Sequence, residues 1–271
     1  MKVFEPMQAS ISISAEPQQR YVLRLADTCL ILAQRLGEWC GHAPALEEDI
    51  AMTNIALDLI GQSRLLYSLA GKMNKPNEYS EDQLAFLRDE HDYLNFTLVE
   101  LPNGIRKGLT NNFAFSILRV FVVASFLKPL WQRLQTSNNP DLAAVAGKAL
   151  KESRYHQQHA GDWVVRLGDG TDESKQRMQD ALNQLLPYTT EMLTNDAVDD
   201  AAHDSGLGPR FGDVKTECLA DVNAVLTAAT LQTPKATAFV STGKTGRHSE
   251  HMGLLLTDMQ YLQRSFPGGV W

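Results

Sequence analysis

Apolar side chains recur at spacings of three and four from Tyr21 to Leu262, and strand-like alternation is nearly absent, so this chain can bury its core only as packed helices. Val22, Leu25, Cys29, Leu32 and Leu36 form a first seam, ended by Gly37 and the turn Cys40-Gly-His-Ala-Pro44. Met52, Ile55, Leu59, Gln62, Leu66 and Leu69 form a second. Leu84, Leu87, His91, Leu94, Leu98 and Leu101 predict a third helix, stopped by Pro102-Asn103-Gly104. Phe113 to Leu134 is a fourth, with Pro129 expected to kink it. Leu142, Ala146, Ala149, Ser153, His156, Ala160, Trp163 and Leu167 mark a fifth. Three weaker helices follow, near Gln176–Leu193, Asp213–Leu231 and His248–Arg264, and this predicts an all-α bundle with additional C-terminal helices. Residues 1–18, rich in Ser, Gln and Pro, are expected to be a flexible tail, and residues 19–271 a single domain.

Composition removes several function classes. A net charge of −7 without an interleaved basic and aromatic patch argues against nucleic acid. The apolar run Phe113–Trp131 is interrupted by Arg119, Lys128 and Pro129, which predicts a buried helix and no membrane span. Three scattered cysteines with no C-x-x-C fit a reducing compartment, and the start lacks the apolar core of a signal peptide. The expected location is the cytoplasm.

The fifth seam is polar at its middle, where Ser153 and His156 lie three apart on one face. Ferritin-like di-iron bundles place inward Glu-x-x-His pairs at that spacing on two helices and a further glutamate on each of the others. Measured against that requirement, the fold class fits and the ligands do not. The first seam centres on Cys29, the second on Leu59 and Gln62, and no Asp or Glu occurs between Glu100 and Asp141 in the fourth. Glu152 points about 100° away from Ser153 on an ideal helix. His156 is therefore expected to be a buried, hydrogen-bonded core histidine with Gln62 and Ser153 as partners. No metal is expected in this chain. The nearest approach to Glu-x-x-His is Asp200-Ala-Ala-His203, in a polar stretch that suggests a loop.

Other motifs are weaker. Ser241-Thr-Gly-Lys-Thr-Gly246 lacks the glycine that a phosphate loop needs at position 238, which is Ala238. Lys244, Arg247 and His248 are expected to form a basic loop that meets a partner subunit or a phosphate-bearing ligand. His248 and His251 alone make a poor metal site, and Ser249 is the expected helix cap. His91 is expected to be a core histidine.

Five segments carry a family resemblance: Arg35–Pro44, Asn54–Gln62, Lys151–His156, Leu167–Thr171 and His251–Arg264. Together they resemble the C-subunit family of 1,2-phenylacetyl-CoA epoxidase over about residues 20 to 271. The resemblance implies a structural, non-catalytic ferritin-like subunit that stabilises the catalytic di-iron component of the same complex. The complex would epoxidise the ring of phenylacetyl-CoA, using NADPH and O2, with further small subunits and a reductase. The catalytic sister's first glutamate and histidine fall at Leu59 and Gln62 and its second glutamate at Ser153, which makes Cys29, Leu59, Gln62, Ser153 and His156 vestigial metal-site positions. The resemblance also implies CoA-thioester contacts at Asp92, Tyr93, Leu94 and Asn95, and at Asp200, Ala201 and Ala202. Two alternatives remain: a metalloenzyme with a rearranged site around Glu38, His42, Glu152 and His156, or a helical binding module.

Overall fold

A computed structural model of the chain describes residues 9–74, 78–104, 112–235, 237–267 and 269. In chain order the helices are α1 (Pro17–Gly37), α2 (Leu46–Met73), α3 (Glu81–Phe86), α4 (Thr97–Glu100), α5 (Phe113–Leu134) and α6 (Pro140–Gly168), then α7 (Asp172–Leu185), α8 (Thr189–Met192), α9 (Ala197–Asp204), α10 (Lys215–Ala228) and α11 (Glu250–Ser265). The described residues contain no strand, only two isolated bridges.

Helix ends follow local chemistry. The side chains of Asn112, Asn139, Thr171 and Ser249 accept backbone N–H bonds at the starts of α5, α6, α7 and α11. Pro17 and Pro140 occupy first-turn positions, where no N–H is needed. Glu47, Glu48 and Asp49 open α2 and Lys72 closes it, matching the helix dipole at both ends. At the end of α2 the returning chain passes so close that a Cβ on Gly71 would sit 1.9 Å from the Tyr79 carbonyl oxygen.

α1 packs on α2, α5 packs on α6, and α2 lies beside α6. Two hairpins joined by the long connection between α2 and α5 give the ferritin-like order. α7 and α10 cover the α5–α6 hairpin, α9 sits on α1, and α11 closes over α3 and α4. Of the described helices only α5 is long and apolar enough to cross a membrane, and 89% of its apolar window is buried in the bundle. It runs through Pro129 as one helix.

The predicted third helix is broken into α3, a 3-10 turn at Glu90–Asp92 and α4. A buried ion pair takes the place of its middle turns. Arg88 and Asp27 are both 0% exposed, and the guanidinium bonds both carboxylate oxygens and the carbonyls of Leu84 and Asp92. Asp27 also accepts from the Tyr67 hydroxyl at 2.6 Å and the Leu94 N–H at 2.7 Å. Burial opposes the Arg88 charge, but Asp27 outweighs it and holds the guanidinium firmly protonated. The extended Tyr93–Phe96 segment thus finds its backbone partners in side chains of the core. His91 follows this turn outward and is exposed, not a core histidine.

The tail expected over residues 1–18 is tied down from Ser10 onward; residues 1–8 lie outside the described part. The Ile11 N–H bonds the Leu87 carbonyl, Ser10 bonds Asp89, and α1 already starts at Pro17. Ile11 and Ile13 pack against the core, which the composition of that stretch does not signal.

Candidate functional site

α1, α2 and α6 converge at the middle of the bundle and bring Cys29, Leu59, Gln62, Ser153 and His156 to its buried interior, each no more than 3% exposed. The expected face is therefore correct. Its hydrogen bonding differs from expectation. The partner of His156 is Asp58, with Nε2 2.9 Å from Oδ2, and neither Gln62 nor Ser153. Desolvation lowers the His156 pKa, and Asp58 only partly offsets it, so the ring is held neutral and donates through Nε2. Gln62 accepts from the Cys29 thiol at 3.5 Å and donates to Glu152 at 2.9 Å. Burial pushes the Cys29 thiol far up, with Glu152 and Asp27 adding to the effect, so it stays protonated. Glu152 thus reaches the seam from the side after all, although its backbone position faces away from Ser153. Ser153 Oγ finds no partner among the described residues.

The donor set does not fit a carboxylate-bridged pair of iron ions. Leu59 and Ser153 stand where inward carboxylates would have to come from, and burying Leu59 contributes about 1.5–3 kcal/mol of apolar stabilisation instead. The nearest acids, Asp58 and Glu152, spend an oxygen on His156 and Gln62, and Glu152 also lies 3.6 Å from Lys148. Among the described residues no three His, Cys, Asp or Glu side chains cluster closely enough to hold a metal ion. The rearranged site around Glu38, His42, Glu152 and His156 is not assembled. Glu38 pairs with Arg35 at 2.7 Å, and the exposed His42 ring bonds the Cys40 carbonyl.

The two segments implied in substrate contact are placed differently. Tyr93, Leu94 and Asn95 are 0% exposed. Their polar groups bond Ala85, Asp27, Phe96 and Glu100. Only Asp92 of that segment reaches the surface, and partial burial raises its carboxyl pKa. Asp200, Ala201 and Ala202 lie on α9, a short helix and not the expected loop, opened by an Asp196–Asp199 capping box. Asp200 pairs with Arg210 at 2.5 Å and Ala202 is buried.

The expected basic loop is largely internal. Lys244 is 6% exposed and pairs with Asp199 at 3.3 Å, while Arg24 pairs with Asp196 and Asp199 beside it. The His248 side chain is fully buried between Glu100 at 2.7 Å and the Tyr93 carbonyl at 2.9 Å. Both ring nitrogens face acceptors, so the ring carries two protons. Burial works against that charge, but Glu100 and the Tyr93 carbonyl outweigh it and raise the pKa. Only Arg247 is exposed as expected. The resemblance to a phosphate loop has a physical content: the Lys244 N–H and the Ser241 hydroxyl bond the buried carboxylate of Glu191 at 2.6 and 2.7 Å. Gly246, at φ +86°, makes the turn that lets this segment pass over His91.

Asp58, Asp27 with Arg88, Glu100 with His248, and Glu191 are the structural residues that apolar periodicity missed. Asp58 and Asp27 lie beside a seam, Arg88 and Glu100 in the broken third helix, Glu191 on the short α8 and His248 just before α11, positions where spacing alone gives no signal.

Helical hairpins in ferritin-like order, with a central seam closed by Cys29, Leu59, Gln62 and Ser153, define the class of protein. The chain belongs to the phenylacetic acid catabolic protein family, whose sequence model matches residues 1–271. It is 45% identical over 251 residues to the C subunit of 1,2-phenylacetyl-CoA epoxidase from Escherichia coli (strain K12), covering 93% of this chain and 98% of that relative.

Proposed function

We propose that this chain is the structural, non-catalytic subunit of a di-iron monooxygenase that epoxidises the ring of phenylacetyl-CoA in aerobic phenylacetate catabolism. The chemistry, with its NADPH and O2, is assigned to a homologous catalytic subunit served by a reductase and further small subunits. Family membership and the 45% identical epoxidase subunit support the pathway. The observation that carries the non-catalytic role is the central seam. Leu59 and Ser153 replace inward carboxylates, and the one histidine there is bonded to Asp58. A ferritin-like fold kept without its ligands supports a role in shape and assembly. Of the expected contacts, Asp92, Asp200 and Arg247 reach the surface and are the candidates for meeting a CoA thioester bound nearby.

Iron analysis of the purified chain, alone and with its catalytic partner, tests the reading. Iron is expected with the partner only, and His156→Gln is expected to leave turnover of the reconstituted complex within twofold while lowering stability. Stoichiometric iron and turnover in the lone chain would overturn it.

A further inference from the structure

A cleft of about 470 Å³ opens where the end of α6 meets the starts of α2, α5 and α7. Phe113, Ala114, Trp163 and Leu167 form its apolar wall, and the exposed Ala45 borders it. Trp163 and Leu167 continue the buried seam of α6, yet both are only half buried. The reason is where the neighbouring helix stops: α5 begins at Phe113, beside Trp163, and offers no further turn to cover the last turn of α6. The Phe113 and Trp163 rings stand edge to face, 5.2 Å apart at 86°. This is the arrangement to which a third ring adds favourably. The volume is about three times the roughly 150 Å³ in which one benzene ring is held.

The polar groups of the cleft decide what kind of ring it takes. Asn112 accepts from the Ala114 N–H at 3.1 Å and Thr171 from the Ser174 N–H at 3.2 Å. Ser174 donates to the Leu167 carbonyl at 2.8 Å, which pins the start of α7 to the end of α6. Glu173 and Arg177, the charged residues of the lining, pair with each other at 2.5 Å. Of the other cations on α7 and the end of α6, Arg166 lies over the Trp163 ring at 4.6 Å and Lys175 bonds the Thr230 hydroxyl. Glu47, Asp169 and Asp172 are exposed around the rim. An anionic ligand would meet these acids and find its cations engaged, whereas an uncharged ring disturbs none of the existing bonds.

We propose that this cleft binds a small uncharged aromatic compound of about two rings, seated against Phe113, Trp163 and Leu167. The site lies two turns of α6 beyond His156, apart from the central seam. It goes beyond the assembly role and stands independently of it.

Indole is the probe, and indole carboxylate is its charged counterpart. The full chain is labelled with fluorotryptophan, the Trp163 resonance is assigned with Trp163→Phe, and binding is followed by fluorine NMR. Indole is expected to shift that resonance saturably, with a midpoint on the order of 1 mM. Indole carboxylate is expected to bind at least tenfold more weakly. Ala45→Phe fills the cleft from its exposed border and is expected to weaken indole at least tenfold with unchanged melting of the chain. Leu254→Asp, at an apolar residue 71% exposed on α11, is expected to leave the midpoint within twofold. Absence of a saturable shift, or a midpoint that Ala45→Phe leaves unchanged, overturns the site. Indole carboxylate binding as tightly as indole overturns the ligand class. Neither result depends on iron, turnover or a partner subunit, so failure here leaves the proposed function untouched.

Discussion

Replacing Asp27 with Asn tests the device that breaks the predicted third helix. The substitution keeps the size of the side chain and one acceptor, but it leaves the Arg88 guanidinium charged, 0% exposed and without its counter-ion. Removing one partner of a buried pair costs about 3–5 kcal/mol, because the other charge stays behind. The Tyr67 hydroxyl and Leu94 N–H compete for the single remaining acceptor oxygen, which places the cost toward the upper part of that range. For a domain of this size each kcal/mol lowers the melting temperature by about 2–4 °C, so D27N is expected to melt roughly 10 °C or more below wild type. The assay is urea and thermal unfolding of the isolated chain, followed by circular dichroism, for D27N, Arg88→Met and the double variant. If the pair acts as one unit, the cycle shows a coupling of about 2 kcal/mol or more, with the double variant far better than the sum of the singles. Losses in D27N below about 1 kcal/mol, or additivity within about 0.5 kcal/mol, would refute the reasoning.

The His248–Glu100 contact should make stability pH-dependent. The folded pKa is raised, so its contribution is complete below the ordinary histidine value of about 6.5 and is lost as pH rises through the folded value. Melting between pH 6 and 9 is expected to fall more steeply for wild type than for His248→Phe; parallel curves would contradict the doubly protonated ring. Gly246→Ala forces an L side chain to φ +86° and sets its Cβ 2.3 Å from the His91 carbonyl oxygen. Backbone strain of that kind costs about 1–3 kcal/mol before the clash is counted, and an unchanged melting temperature would show that the turn relaxes freely.

The long helices and the buried face of α6 were legible in the sequence because periodicity reports which side of a helix is dry. The partner of His156 was not, since Asp58 is next to Leu59 in sequence and reaches across the groove by the length of its side chain. The break between Phe86 and Thr97 was hidden for a related reason: Leu84, Leu87, Leu94 and Leu98 are all buried, yet Arg88 and Asp27 satisfy backbone and side-chain groups that a continuous helix would have satisfied internally. Lys244 and His248 looked like surface cations because their counter-charges, Asp199 and Glu100, lie 45 and 148 positions away. Spacing cannot see a pairing of that range.

The carboxylate of Glu191 gives the segment from Ser241 to Lys244 a ligand that never dissociates, because it is part of the same chain. A phosphate loop works by exchanging its anion; the anion held here is fixed by the chain itself. To open, it must strand a carboxylate that is 1% exposed and release the Thr97 N–H at the head of α4. The segment that leads into α11 is thereby fastened to the bundle by an internal guest. Amide exchange at Lys244 should accordingly require opening on the scale of the whole domain, whatever its place in a loop would suggest.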